Sequence, residues 1–404
     1  MKNLISILKE DPIIEIITEV IFQSGIQLYL VGGCPRDLLL GKKTVDYDFI
    51  TFSKVKPIAK KISNILRGKL TFFTPFETAK IKLDTGEVID IARARKEYYT
   101  KPGVLPKVEP TDSLLEDLER RDFTINSMAI SLNKDDFGSI YDPFGGKRDL
   151  DRGVIRVIKK GSFSEDPTRA FRAIRYKNRF KFRYSEDIEL EFEGAKKYLK
   201  EVSFDRIKHE FGKIAGEKKR SQMFIEIEEW GLIKALDMRL SIDPDLVECL
   251  DSYLIPPSAD QWVAFFSLFL LKTSIKPWDL EYPFVFTSGE KKILEEILTI
   301  KEEGKIPSKL SEIHKKFKKM EDLSLVVISV LFGGHEGKIL REYRKKRKEV
   351  KIGLKGEDLI KLGIPKGKLI GKIKEFLFIA HLEGKIKTKE EEIQFVKKWF
   401  KERV

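Results

Sequence analysis

The segment from residue 28 to residue 51, LYLVGGCPRDLLLGKKTVDYDFIT, decides the fold. A short β-prone run, Gln27 to Val31, is broken by Gly32-Gly33. Pro35 to Leu40 suits a short helix, because proline is tolerated in a first helical turn, and Gly41 ends it. Val45 to Phe52 reads as a second strand. Residues i and i+2 of a strand share a face, so Asp46 and Asp48 project together while Tyr47 turns away. Two carboxylates on one face repel unless a cation lies between them, and oxygen ligands of this kind suit Mg²⁺. Two such ions can activate an attacking hydroxyl and stabilise a departing oxygen in phosphoryl or nucleotidyl transfer. The Gly32-Gly33 turn exposes backbone N–H groups near a helix start, where phosphate binds well, and Arg36 adds charge there. A DxD triplet alone binds nothing in most proteins. The succession strand, Gly-Gly, Arg-Asp helix, Gly, strand with DxD is far more restrictive.

Further strands are expected near Leu70–Phe73, Ala79–Leu83 and Val88–Ala92. Asp90 interrupts the last of these. A buried unpaired carboxylate is costly, so Asp90 is either a third carboxylate beside Asp46 and Asp48 or the partner of Arg93 or Arg95. Residues 100–110 hold three prolines and a glycine and read as a loop. Helical patterns dominate after about residue 165. The chain is therefore of α+β class: an α/β head of about 150 residues, then an all-helical remainder.

The whole-chain composition fits this division. The 404 residues suggest two to four domains. With 42% apolar and 35% charged residues the chain is globular. Its net charge of +13 points to a polyanionic partner. The excess is uneven: Leu340 to Val404 carries 20 Lys/Arg against 10 Asp/Glu, a local +10. The densest basic run is Arg344-Lys345-Lys346-Arg347-Lys348, either a solvated helix face or a phosphate-contacting surface. The densest apolar run, Trp262 to Leu271 interrupted by Ser267, is half of the roughly 20 residues a bilayer span needs and reads as a buried helix. Glu10 and Asp11 interrupt the apolar start where a signal peptide would continue, so a cytoplasmic protein is expected. Two cysteines, Cys34 and Cys249, exclude a disulfide scaffold, and no CxxC or clustered Cys/His pattern suggests structural zinc.

Asp166-Pro167 starts a helix well, with Asp as N-cap and Pro at the first position. Arg169, Arg172 and Arg175 then recur every three residues, and Phe171 and Ile174 supply a core face. The arginines repel one another unless anions meet them, and each offers a planar fork of donors for a base edge or a phosphate. A surface Asp166–Arg169 ion pair is the simpler alternative. Asp117 to Met128 can likewise be read as a charged helix with internal ion pairs.

Five ordered segments resemble the class II nucleotidyltransferases that extend the 3′ end of tRNA, a family that includes CCA-adding, CC-adding and A-adding enzymes and bacterial poly(A) polymerases. They are residues 28–51, Asp117 to Asn126 (DLERRDFTIN), Tyr141 to Leu150 (YDPFGGKRDL), Glu165 to Arg169 (EDPTR) running on to Arg175, and Gly356 to Leu359 with Leu362-Gly363 and Gly371. The similarity spans roughly residues 25–400. Pro35, Arg93 and Ser127 depart from the usual family residues, and none of them removes a ligand or a charge.

The resemblance implies a polymerase β-like head with a mixed sheet over 1–150, a helical neck over 151–215, a helical body over 216–335 and a basic helical tail over 336–404. It implies that Asp46 and Asp48 hold Mg²⁺, with Asp90 as a candidate third catalytic acid. Gly32, Gly33, Arg36, Arg121, Asp122 and Asn126 would bind the sugar and phosphates of ATP or CTP. Asp166 and Arg169 would pair with the base, with Arg172 and Arg175 beside them. Arg344, Lys345, Lys346, Arg347 and Lys348 would meet the tRNA backbone, and no membrane is implicated. Residues 65–77 lack the basic, aromatic signature expected of a poly(A) polymerase, and Lys96 to Pro110 reads as a loop of the kind that accompanies A addition. Complete CCA addition, A-only addition and CC-only addition are the subtypes in play, followed by poly(A) polymerase. A non-catalytic RNA-binding protein is the reading from another class.

Overall fold

A computed structural model describes residues 4–74, 77–254, 256–273 and 275–401. Pro75 and Phe76, within the 65–77 stretch, lie outside these. By contact the chain forms two compact units: residues up to Glu210 together with Glu229–Leu236, and Phe211–Glu228 together with residues from Asp237 onward.

The first unit opens with α1 (Leu4–Glu10) and α2 (Pro12–Ser24). Asp11 caps α2, its carboxylate accepting the Ile13 and Ile14 N–H groups at 3.0 and 3.1 Å. β1 (Leu28–Leu30), α3 (Gly33–Leu39) and β2 (Asp46–Thr51) follow in the expected order. Pro35 falls in the first turn of α3, where its missing N–H costs nothing. α4 (Val55–Leu66), β3 (Lys69–Phe73), β4 (Thr78–Lys82) and β5 (Val88–Arg93) come next. Of these, β5 lies parallel to β2, and every other pairing in the sheet is antiparallel. With β8 (Ala129–Ser131) and β9 (Ile140–Tyr141) the mixed sheet has the order β3-β4-β5-β2-β1-β8-β9. Its core side buries Leu28, Leu30, Tyr47, Phe49, Ile89 and Ile91 against α2 and α4. Tyr47 does turn to that side, and its hydroxyl donates to Asp11 at 2.7 Å.

Two local expectations need correction. The stretch read as a loop contains a hairpin, β6 (Arg95–Tyr98) with β7 (Lys107–Pro110), and only its tip is loop. The strands are four residues each, and the prolines mask their alternation. Asp117 to Met128 is not one charged helix: α5 (Leu114–Glu119) ends before a 3₁₀ turn at Thr124–Asn126. Helices α6 (Gly146–Arg152), α7 (Ser162–Glu165), α8 (Thr168–Phe180), α9 (Ile188–Tyr198) and α10 (Phe204–Ala215) complete the region that bears on the site. Phe171 and Ile174 of α8 are fully buried, as their spacing predicts.

In the second unit, the apolar helix Trp262–Leu270 is buried along its whole length. Arg220, fully enclosed, donates to Asp251 (2.5 Å), to the Ala215 and Leu254 carbonyls and to Gln261. A separate apolar cluster around Leu354, Leu359, Ile373 and Leu377 organises the C-terminal helices. Among the described residues no helix is long and apolar enough to cross a membrane.

Candidate active site

Asp46, exposed, and Asp48, partly buried, occupy the sheet face opposite Tyr47. β2 is held on both sides, by β1 (Leu30 opposite Phe49) and by β5 (Asp48 opposite Asp90). The Val31 N–H donates to the Asp48 carbonyl at 2.9 Å, which brings the glycine turn onto the carboxylate strand. Gly32 has φ +71, and a Cβ there would stand 2.9 Å from Asp48 Oδ2 and 3.3 Å from Arg121 Nη1. Both the backbone conformation and the space therefore demand glycine. Burial pushes the Asp48 carboxyl up; Arg121 opposes this, while Asp90 and Asp46 add to it. Such a carboxylate is short of positive charge and fits a hard cation. Among the described residues no group of three or more His, Cys, Asp or Glu side chains is assembled for a metal. The Asp46–Asp48 pair would thus share an ion with substrate oxygens and water, which is how Mg²⁺ usually binds.

Asp90 does not pair with Arg93 or Arg95. Its Oδ2 takes Lys80 Nζ at 2.8 Å, because Lys80 of β4 stands directly across from it. Arg93 turns to Asp112 (3.2 Å) and Arg95 to Glu97 (3.2 Å). The other Asp90 oxygen is buried without a hydrogen-bond partner. Lys80, Asp90 and Asp48 so form one row across β4, β5 and β2.

Asp117, fully buried, organises the arginines after α5. It accepts from the Arg95 N–H (3.2 Å), Arg120 Nε (3.0 Å) and Arg121 Nη2 (2.8 Å). Burial would push its carboxyl up, but Arg121 and Arg120 outweigh that and hold it down. Asp122 likewise would rise by burial; Arg172 and the Asn126 amide hold it down to about 2. Asn126 links Asp122 (2.9 Å) to Arg36 (2.5 Å), and Arg36 also clasps Asp37 and lies over the Tyr176 and Phe180 rings. The polar chain Arg36–Asn126–Asp122–Arg172 so ties α3 to α8. Arg36 and Arg175 are each about 4% exposed and do not line the cavity; Arg175 pairs with Glu210 at 3.7 Å.

Asp166 lies two residues before Thr168, where α8 begins, and accepts that residue's N–H at 3.0 Å, while the cap position itself falls to Pro167 rather than Asp166. It makes no ion pair with Arg169. Arg169 donates instead to Ser162 Oγ (2.6 Å) and the Arg120 carbonyl (2.7 Å), while Asp166 receives Arg206 (2.7 Å).

These groups border a cavity of about 350 Å³ that runs from Gly32, Gly33 and Asp48 past Arg121 and Asp122 to Asp166 and Arg169. Nucleotide-sized ligands occupy volumes of this order. Reading the sequence missed Glu97, Tyr99, Arg120, Tyr176 and Glu210 on its wall. Tyr99, whose hydroxyl burial pushes up to about 12, comes from the stretch read as loop. Glu210 was findable: it lies four residues after Arg206 on one helix face.

The basic run lies in the second unit, in the helix Gly334–Glu349, and most of it is paired. Asp322 meets Arg344 (2.6 Å), Lys348 (2.8 Å) and Arg347 (3.7 Å), and Lys346 meets Glu342 (2.8 Å). Lys345, 75% exposed, reaches Glu349 only at 4.0 Å. Arg344, Arg347 and Lys348 so tie this helix to Asp322, and Lys345 and Lys348 stay more than half exposed.

Comparison with known proteins agrees with this geometry. A family model, the poly A polymerase head domain, matches residues 28–156. An A-adding tRNA nucleotidyltransferase of Halalkalibacterium halodurans is 30% identical over 385 residues, covering 93% of this chain and 89% of that protein. A longer A-adding relative, from Geobacter sulfurreducens, is 28% identical over 91% of this chain but only 44% of its own length. The Thermotoga maritima CCA-adding enzyme complexed with tRNA superposes with TM-score 0.74 at 29% identity over 98% of both chains. CCA-adding enzyme structures with ATP and with CTP give TM-scores of 0.74 and 0.75 at 30% identity, covering 96% and 97% of this chain and 96% of each of theirs. The carboxylate strand, the glycine turn and the arginine-lined cavity occur in a chain alike along nearly its whole length, and the protein belongs to the tRNA nucleotidyltransferase/poly(A) polymerase family of transferases.

Proposed function

We propose that this protein adds CMP and AMP to the 3′ end of tRNA without a nucleic-acid template, by two-metal nucleotidyl transfer in the cytoplasm. One observation carries the reading: a single cavity joins the Asp48 carboxylate and the glycine turn to Asp166 and Arg169. The terminal hydroxyl of the RNA attacks the α-phosphate, the P–O bond to the β-phosphate breaks, and pyrophosphate leaves. Mg²⁺ held by Asp46 and Asp48 would supply positive charge to the attacking and departing oxygens. The Gly32-Gly33 turn lets the phosphates approach the backbone closely, and Arg121 faces the same space. Asp122 keeps Arg172 in place, so the cavity wall is preorganised before the nucleotide arrives. Asp166 offers an acceptor and Arg169 a set of donors to the base edge, a pattern that cytosine and adenine both complement. Exposed lysines of the C-terminal region would meet the tRNA backbone through phosphates and shape rather than sequence.

A-only addition is the second reading. It is favoured by the A-adding relative that is alike over nearly the whole chain. Three purified tRNAs, ending in the discriminator base, in C or in CC, decide between them when offered labelled CTP, ATP or both. CMP addition to the first and AMP addition to the last means full CCA synthesis. Activity confined to ATP on the CC-ended tRNA means A-only addition. No extension of any tRNA overturns the proposal.

A further inference from the structure

Arg206 has no part in the mechanism above, yet it touches the acid proposed to read the base. It sits in the first turn of α10 and donates Nη2 to Asp166 Oδ1 at 2.7 Å and Nη1 to the Gly103 carbonyl at 2.8 Å. A guanidinium is planar and rigid, so these two acceptors are fixed relative to each other. Asp166 Oδ1 also accepts the Thr168 N–H (3.0 Å) and the Thr168 hydroxyl (2.6 Å). Three donors therefore occupy Oδ1, and Oδ2 accepts no hydrogen bond from any described residue. Both Thr168 donors lie two residues along the same chain. Arg206 is the donor that comes from another helix and sets how the carboxylate is turned.

Gly103, at the tip of the β6–β7 hairpin, is held by both of its backbone groups. Its carbonyl takes Arg206, and its N–H donates at 3.0 Å to the carbonyl of Glu165, the residue before Asp166. Its φ is +76, and a Cβ there would stand 2.7 Å from Glu201 Cβ and 3.0 Å from the Tyr198 carbonyl oxygen. The loop so anchored begins at Tyr99, which lines the cavity together with Asp166 and Arg169.

We infer that Arg206 is a positioning residue that determines base selection: one fork turns the free Asp166 oxygen toward the base and fastens the Tyr99-bearing loop beside it. The inference rests on the proposed function, since it concerns the same cavity. Cytosine and adenine present an exocyclic amine that a fixed carboxylate oxygen can accept. Uracil and guanine present a carbonyl oxygen at the corresponding place, which the same oxygen repels. A carboxylate free to swing, or to be bridged by water, loses that repulsion.

The test measures kcat/KM for CTP, ATP, UTP and GTP on tRNAs lacking the terminal nucleotides, with thermal melting alongside. Arg206→Ala is expected to lower the preference for the wild type's own nucleotides over UTP and GTP by about 10-fold, the scale of one misplaced polar contact. Arg206→Lys, which can hold Asp166 without bridging to Gly103, should fall between the two. Gly103→Ala, which loosens the loop with Arg206 intact, should shift selectivity in the same direction. A uniform loss for all four nucleotides, or ratios within twofold of wild type, overturns the inference. If Arg206→Ala fails to fold, the Lys and Gly103→Ala variants decide by the same criterion. A wild-type protein that extends no tRNA refutes the functional reading itself, a separate outcome.

Discussion

Asp48 and Asp90 stand opposite each other on the parallel strands β2 and β5, yet their surroundings differ. Asp90 has Lys80 at 2.8 Å, while Asp48 has the pinched Gly32 turn and Arg121 around it. The row holds more negative charge than its own residues neutralise, which fits the cation proposed to bind there. Asp48→Asn should therefore reduce nucleotide incorporation by at least roughly 100-fold, the scale of losing a group that acts on the reacting charges. The same change removes repulsion with Asp46 and Asp90, so the melting temperature should hold or rise. A variant that keeps wild-type turnover would remove Asp48 from the chemistry.

The Asp122–Arg172 pair sets an acid limit. Asp122 is 6% exposed and held down to about 2, from an ordinary 3.8. Its folded value is depressed, so its contribution is present above about pH 4 and is lost as pH falls toward 2. Asp122→Asn should cost about 2 kcal/mol at neutral pH and flatten the melting-temperature profile between those limits. A profile identical to wild type on the acid side would show that the pair contributes nothing to stability.

Arg220 anchors the second unit from within. Removing it strands buried acceptors, the Ala215 and Leu254 carbonyls among them. Arg220→Ala should destabilise by about 3 kcal/mol or more, in the range for breaking a buried charge network. Asp251, whose side chain is 23% exposed, can be rehydrated, so Asp251→Ala should cost less. Chemical denaturation of both variants checks the order.

Binding to tRNA should weaken with salt, and the basic run divides under that measurement. Lys345→Ala should lower the slope of log K against log salt by about 0.7–0.9, the effect of one lost phosphate contact. Arg344→Ala breaks a two-point pair with Asp322 and should lower stability more than the slope. Equal slope changes for both would mark the whole run as an RNA surface.

The strand–turn–helix–strand succession around the site was legible because its determinants are local. Gly32-Gly33, the Arg36-Asp37 helix and the alternation Asp46-Tyr47-Asp48 act through backbone conformation and side-chain period, which neighbours in sequence dictate. The β6–β7 hairpin escaped notice because strands of four residues among prolines carry too little pattern. The partner of Asp90 escaped because strand register, not sequence distance, sets Lys80 across from it while Arg93 and Arg95 face elsewhere.

By itself, then, the sequence singled out the residues to which the chemistry is proposed to belong: the two carboxylates, the glycine turn, the Asp166–Arg169 spacing and the basic C-terminal region. Tertiary structure decided which charges have protein partners. Arg36 and Arg175, predicted to meet the nucleotide, are enclosed with protein partners; Arg344 and Lys348 converge on Asp322; Arg206, unremarked in the sequence, holds Asp166. A charge's availability depends on what lies within about 4 Å of it, since Coulomb attraction and desolvation both act over that range. Residues far apart in sequence supply those neighbours, and only the folded chain brings them there.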